Sequence, residues 1–480
     1  MSEKGELDNS GFNKLNWFTR IGYGLGDCAQ NLIYQVVAGY CAFFYSDVYI
    51  VGNNTKESSS IAGTIMTTAR IIDVIWDPFV GAFVDKHNPR LGKYRTYLLF
   101  CGLPLTIGCI LVFCPFDFLR GSIIYAAVTY VLLQMLYTCV NVPYGALNAS
   151  LTRDTHEITM LTSIRMVCAN IGGFFVWTLI PIFLGLAAGK AIPWGFVFFQ
   201  FVGSIPGILF MPFVPAVKKV VGKKNMFYLF GTIAIIGNIM IYIVSKSGVN
   251  SGDNTWMRIA NFVKSTGFTI ITGYMWAIVP EVISYAEYTT GRRIAGIVNA
   301  LTGMFYKLGN ALGGIIPLYG LRILGYIAGE EEPSSLTKEP KAWFTVMSIY
   351  NIVGLVLLLI CFFASKERIA MEEKETKNVK VTDLFTEFVR NGPLRIIALY
   401  FVTAFTCMTT QNTINSYLFG MSNQKAGTQE GIRWLASLIP AIFNVLMIVI
   451  IFFYSLTDEK IDEINREIER RHKASNAEEA

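Results

Sequence analysis

Apolar residues run along this chain in twelve blocks of helical-span length, separated by shorter polar stretches. Averaging hydropathy over windows of about 19 residues places membrane helices at 21–45, 61–84, 96–114, 121–147, 160–186 and 194–216. A second six follow at 226–244, 259–286, 294–320, 343–364, 394–420 and 434–456. A helix needs about 20 mostly apolar residues to cross the hydrocarbon core, and each block supplies them. The expected fold class is therefore an all-α polytopic membrane protein with twelve transmembrane helices.

Composition agrees with the pattern. Of 480 residues, 53% are hydrophobic and 15% charged, with a mean hydropathy of +0.46, against about 25% charge in an average soluble domain. This excludes a disordered chain and argues against a soluble enzyme. Nine cysteines lie almost entirely within apolar runs without C-x-x-C spacing, so neither a metal cluster nor a disulfide framework is expected. The polar first 20 residues show no short apolar core with a cleavage site, so no signal peptide is expected.

Charge placement sets the orientation. With both termini cytoplasmic, inner segments hold 26 Lys and Arg, counting Arg395 at the inner edge of its span, outer loops hold 10, and Arg70, Arg165, Lys264 and Lys307 lie deeper within spans. That distribution satisfies the positive-inside rule. The expected organisation is a cytoplasmic N-terminus at 1–20, five spans over 21–186, four over 194–320 and an outer linker at 326–342. A further span at 343–364, a charged cytoplasmic linker at 365–393, two spans over 394–456 and a cytoplasmic tail at 457–480 complete it. Leu384, Phe385, Phe388 and Val389 predict a short surface helix in the linker. Ile461, Ile464 and Ile468 form one stripe of a solvated or interfacial tail helix, with Asp462 paired to Arg466 at i,i+4.

Charged side chains inside spans are expensive, which makes them candidates for function. In the second span Arg70, Asp73 and Asp77 share one helix face. Two carboxylates one turn apart repel unless a positive charge lies between them. Arg70 can supply it permanently, or the pair can take up Na+ or H+ reversibly. Asp27, Asn31 and Tyr34 share a face of the first span, and Thr138, Asn141 and Tyr144 one of the fourth. Arg165, Trp276, Glu281, Lys307, Asn310, Gln411 and Asn415 add polarity to later spans. Amides and carboxylates bond paired hydroxyls while an aromatic face receives the C–H side of a sugar ring, so a polar cavity for a hydroxyl-rich solute is expected. The turn GAFVDKHNPRLGKYR offers Gly81 for close helix approach and Asp85 for a breakable ion pair. With Arg90, Gly92, Lys93 and Arg95, and with Arg70 above, it is the candidate gating segment; FVPAVKKVVGKKN at 213–225 echoes it.

With these residues identified, the chain resembles the glycoside-pentoside-hexuronide:cation symporters, the melibiose-permease-like branch of the major facilitator superfamily. The resemblance is carried by RIGYGLGDCAQNLIY with FYSDV, ARIIDVIWDPFVGAFVD with LGKYR, YTCVNVPYGAL and SIRMVCANIGG. It continues in WAIVPEVISYAEYTTGRR, GIVNALTGMFYKLGNALGG, RNGPLRIIALYF, IPAIF and FFYSLTDEKIDEI. It implies two six-helix bundles and symport of a small sugar or glycoside with Na+ or H+ by alternating access, without other cofactor, nucleic acid or catalysis. A monomer in the bacterial inner membrane is expected. The resemblance also implies that Asp73, Asp77 and Thr138 belong to the cation site, with Asn31, Arg165 and Lys307 in the sugar and coupling region and Asp27 and Tyr144 close by. Asn31 and Asn141 stand where the melibiose-type pattern has Asp, and Trp76 where it has Asn. Helix order departs too: 194–320 resembles family helices eight to eleven, while 343–364 and 394–420 resemble the sixth and seventh. A non-transporting receptor or scaffold, or a transport-impaired rearranged symporter, natural or engineered, stays open as the alternative.

Overall fold

The computed structural model describes residues 15–87, 89, 91–114, 116–151, 155–210, 213–247, 254–290, 295–328, 336–365, 388–456 and 458–478. Its long helices follow the apolar blocks: α1 (Trp17–Phe43), α2 (Ser58–Lys86), α3 (Arg95–Val112), α4 (Ile123–Leu151) and α5 (Thr155–Ala188). Next come α6 (Trp194–Phe210), the short α7 (Val214–Val221), α8 (Lys223–Lys246), α9 (Thr255–Thr290) and α10 (Ala295–Ile323). The last are α11 (Pro340–Ala364), α12 (Gly392–Leu418), α13 (Ala426–Arg433), α14 (Ile439–Phe452) and the tail helix α15 (Asp458–Glu478). Side-chain oxygens start two of them. Asn16 accepts from Thr19 N at 2.8 Å and Asn391 from Leu394 N at 3.0 Å, satisfying amides that open every helix unpaired.

Among the described residues, eight helices are long and apolar enough to cross a membrane, with α6 a shorter apolar one. They are α3, α4, α5, α8, α9, α11, α12 and α13 joined through a π turn to α14. α1, α2 and α10 have the length, at 27, 29 and 29 residues, but their interior-facing polar residues dilute the apolar average. The block at 194–216 is broken into α6 and α7, and Gly222, at φ +82°, turns the chain from α7 into α8. Gly92, at φ +121°, occupies the echoed turn before α3; a left-handed backbone there favours glycine.

The helices pack as two sets. α1 lies against α5 and α11, α3 against α4 and α11, and α2 against α4; in the other set α8 lies against α9 and α14, α10 against α12, and α6 against α9. Three pairings join the sets: α2 with α10, α5 with α6, and α1 with α12. α11, late in the chain, thus sits among the first helices. Its seam with α1 is very close, because a Cβ built on Gly22 would stand 2.1 Å from the Cβ of Ala364. Overpacking costs roughly 1–3 kcal/mol, so Gly22→Leu is expected to lower the thermal unfolding temperature of the detergent-purified protein by several degrees, whereas Gly145→Ala, with open space around it, should leave it unchanged.

One expectation is corrected here, and the tail and linker stripes are located. Gly81 has no heavy atom within 4 Å of where a Cβ would lie, so it does not mediate a close helix crossing. The stripe of the tail helix packs inward: Ile464 is buried in an apolar cluster with Ile461 and Ile468 against it. Arg471 donates to Tyr288 O at 3.0 Å, fixing α15 to α9. In the linker after α11, Phe388 stacks on Phe305 at 5.1 Å, while Leu384 and Phe385 lie outside the described residues, as do Arg90 and the side chains of Asp85 and Asp462.

Candidate functional site

The two carboxylates of α2 point inward, and the charge between them comes from the other set of helices. Lys307 of α10 places its Nζ 3.0 Å from Asp73 Oδ2 and 2.5 Å from Asp77 Oδ1. Thr138 Oγ1, from α4, lies 2.6 Å from Asp73 Oδ1 and 3.2 Å from Asp77 Oδ1. A hydroxyl has one proton to donate, and the shorter distance directs it to Asp73. The Asp73 side chain is only 3% exposed, against 29% for Asp77, so Asp77 is the accessible member of the pair. Arg70, offered by the sequence as the charge between the carboxylates, makes no ion pair with them among the described residues. It is buried with its guanidinium over the Tyr34 ring, 5.7 Å from the centroid.

Tyr34 stacks on Tyr137 at 5.5 Å between centroids and accepts a hydrogen bond from Tyr306 at 3.0 Å, an aromatic layer made from α1, α4 and α10. A second charged pair lies along α1 and α5. Arg165 Nε is 3.2 Å from Asp27 Oδ2, and its guanidinium covers the Tyr144 ring at 5.1 Å. Tyr144 donates to Tyr23 O at 2.7 Å, and Asn31 Nδ2 donates to Asp27 O at 2.9 Å.

A cavity of about 360 Å³ opens between the two sets. Of the residues singled out from sequence, Asn31, Trp276, Gln411 and Asn415 line it. The wall also holds Asn170, Trp177, Gln200, Asn261, Lys264 and Asn412, which sequence reasoning gave no role. Lys264 carried a visible signal, a basic residue inside an apolar run; a single amide inside a helix carries none, since it serves equally as interhelical glue.

Other expected residues lie elsewhere. Glu281 is not on the cavity wall. It receives Lys223 Nζ at 2.6 Å, with the Tyr274 and Tyr454 hydroxyls each 3.4 Å away, an internal tie holding α8, α9 and the segment after α14. Asn141, one turn beyond Thr138, makes no hydrogen bond with the carboxylate cluster among the described contacts. Arg95 covers the Phe362 ring of α11 at 5.3 Å, and Lys93 the neighbouring Tyr94 at 5.6 Å. The first of these contacts joins the start of α3 to α11.

At the end where α1 finishes, polar contacts close one set on the other. Tyr417 meets Ser46 Oγ at 2.6 Å, and Tyr326 donates to the buried Asp47 at 2.8 Å. The Thr64 and Tyr319 hydroxyls are 2.8 Å apart, and Arg322 pairs with Glu57 at 3.2 Å. Apolar packing joins them here too, with Phe43 edge-on to Tyr417 at 5.6 Å and Leu318 and Leu321 in the same buried cluster.

Comparison with known proteins is consistent with this architecture. Residues 22–199, 193–338 and 332–422 match the family described as MFS/sugar transport protein. The chain is 31% identical to the uncharacterized symporter YnaJ of Bacillus subtilis (strain 168), over 76% of this chain and 94% of that one. It is 26% identical to the inner membrane symporter YicJ of Escherichia coli (strain K12), over 75% and 93%. Identity is also 26% to the glucuronide carrier protein homolog of the same organism, over 66% and 86%. The chain therefore belongs to the MFS/sugar transport protein family, as a polytopic helical membrane transporter and not an enzyme.

Proposed function

We propose that the chain carries a glycoside, pentoside or hexuronide across the membrane together with Na+ or H+, by alternating access of two six-helix bundles. The observation that carries this reading is the ion pair across the sets, with Lys307 of α10 on Asp73 and Asp77 of α2. Two carboxylates in a nearly dry site hold one positive charge strongly. A cation entering beside Asp77 competes with Lys307 for that place, and its binding frees the Lys307 side of the cluster. Ion binding thereby alters a contact between bundles, which is what coupling requires. Asp73, Asp77 and Thr138 hold the ion in this proposal. Asn31, Trp276 and Gln411 meet the sugar from the cavity wall, and Asp27 with Arg165 sets the floor beside Asn31.

Twelve spans are proposed, with α1, α2, α6 and α10 crossing beside the eight plainly apolar helices and both termini cytoplasmic. The first bundle comprises α1 to α5 with α11, and the second α6, α8, α9, α10, α12 and α14. The order relative to the family is then helices one to five, eight to eleven, six, seven and twelve. Support comes from the packing of α11 on α1, α3 and α5 and from the family match falling in three successive stretches. Moving two helices together leaves every span crossing in its original direction. The polar stretch 326–342 has 17 residues and at about 3.3 Å each reaches roughly 55 Å, enough to cross between bundles. Two outer bridges then replace one inner linker. A monomer suffices, since the cavity is built within one chain.

Radiolabelled sugar counterflow in proteoliposomes, across a panel of hexosides, pentosides and hexuronides, tests the reading. Exchange of at least one sugar above protein-free vesicles is expected. Absence of exchange for every sugar, from a preparation that unfolds cooperatively, would replace this reading by the receptor or the transport-impaired alternative.

A further inference from the structure

The interior charges of the described spans do not balance. Asp27 is matched by Arg165, and Asp73 with Asp77 by Lys307 and the neighbouring Arg70. Lys264 is left over. It lies on α9, only 7% exposed, on the wall of the cavity. No carboxylate lies within ion-pair distance among the described residues; its Nζ is over the Phe199 ring, 5.7 Å from the centroid. No other lining residue of the cavity is charged. A buried ammonium without a counter-charge is costly, so its retention on a ligand-sized cavity wall points to a ligand that brings the charge.

The surroundings hold that ammonium in place. α8 and α9 cross so tightly at Gly237 that a Cβ there would lie 2.3 Å from Lys264 N. One turn earlier Asn261 donates to Phe199 O at 2.6 Å, leaving its own buried Oδ1 without a partner. Gln200 and Gln411, both buried, reach the same cavity from α6 and α12. Amide N–H groups beside an ammonium suit a carboxylate or sulfonate, and the free Asn261 oxygen suits a sugar hydroxyl.

We infer that the substrate is a monoanionic sugar, whose acid group pairs with Lys264 while its ring lies among the amides and tryptophans of the cavity. This rests on the proposal that the cavity carries a sugar. One unmatched positive charge calls for one negative charge, so a dianionic phosphate ester is disfavoured.

The test uses matched sugars that differ in a single group. Nitrophenyl glucosides and galactosides are compared with the corresponding glucuronides, galacturonides, 6-sulfonates and 6-phosphates. Binding is read from quenching of tryptophan fluorescence, since Trp177 and Trp276 line the cavity, and from competition for counterflow. In wild type at least one carboxylate or sulfonate is expected to bind about tenfold or more tighter than its neutral partner. The stronger of the two identifies the acid group. Lys264→Gln should erase that preference and Lys264→Arg retain it, with thermal unfolding showing whether each variant is folded. The wild-type comparison alone decides if Lys264→Gln does not fold. Neutral sugars bound as well as their acids would overturn the inference and leave the transport proposal standing. A preference for the phosphate ester, or one unchanged in folded Lys264→Gln, would also overturn it. Binding and exchange of no sugar at all would remove both proposals together.

Discussion

Asp73→Asn and Asp77→Asn are each expected to abolish the dependence of sugar binding on the coupling ion while leaving exchange of sugar for sugar partly intact. The ion has to be held by negative charge, and these two carboxylates share one ammonium and one hydroxyl. Removing either charge leaves Lys307 with a single full partner, so an incoming cation finds no net attraction. A coupled ion commonly raises the affinity for its co-substrate by about 5- to 150-fold. In either variant that factor should fall to about one. The check is sugar affinity measured with and without Na+ and across pH, together with accumulation of sugar against a gradient. The two variants need not be equal. Asp73 is buried and receives the nearer Thr138 oxygen, so its loss also leaves that hydroxyl poorly placed; Asp77, more open, should cost less in stability for the same loss of coupling. Wild-type accumulation in both variants would place the ion site elsewhere.

The fold was largely legible because span length and hydropathy are local properties. α3, α8 and α11 begin and end close to where the apolar runs do, since nothing but the bilayer decides their length. The pairing of Asp73 with Asp77 was equally legible, because positions four apart lie on one helix face whatever surrounds them. What was not legible was the source of the neutralising charge. Arg70 is on the same helix and the sequence offers it first, yet its guanidinium is drawn to Tyr34, and Lys307 arrives from 230 positions away. Glu281 shows the converse error. An acidic residue in a span near Trp276 reads as a ligand group, but pairing with Lys223 uses it up within one set of helices. Lys264 lacked any sequence neighbour to argue from, and only the packing of α6, α9 and α12 gives it a cavity to face. For Gly81 the reason is simpler: glycine permits close approach but does not require it, and among the described residues nothing lies within 4 Å of where its Cβ would be.

Lys307→Ala is the variant expected to change stability most, and the ion should decide by how much. Without Lys307, Asp73 and Asp77 face each other with the Thr138 hydroxyl as their donor among the described hydrogen bonds and Arg70 as the nearby charge. Breaking a buried ion pair by removing one partner costs about 3–5 kcal/mol, and the partial exposure of Asp77 moves the expectation toward the lower figure. A bound cation supplies the missing charge in the same place, and a ligand at a hundred times its dissociation constant contributes about 2.7 kcal/mol. Thermal unfolding of Lys307→Ala in Na+-free buffer at alkaline pH should therefore show a large drop relative to wild type. Addition of Na+ should recover much of it if Na+ is the coupling ion, and acidification if H+ is. In Lys307→Ala with Asp77→Asn the two losses should not add, because the second change removes the charge that the first left unpaired. A drop that neither Na+ nor acid reverses, and that adds fully to the effect of Asp77→Asn, would mean that Lys307 holds the helices together without occupying the place of the ion.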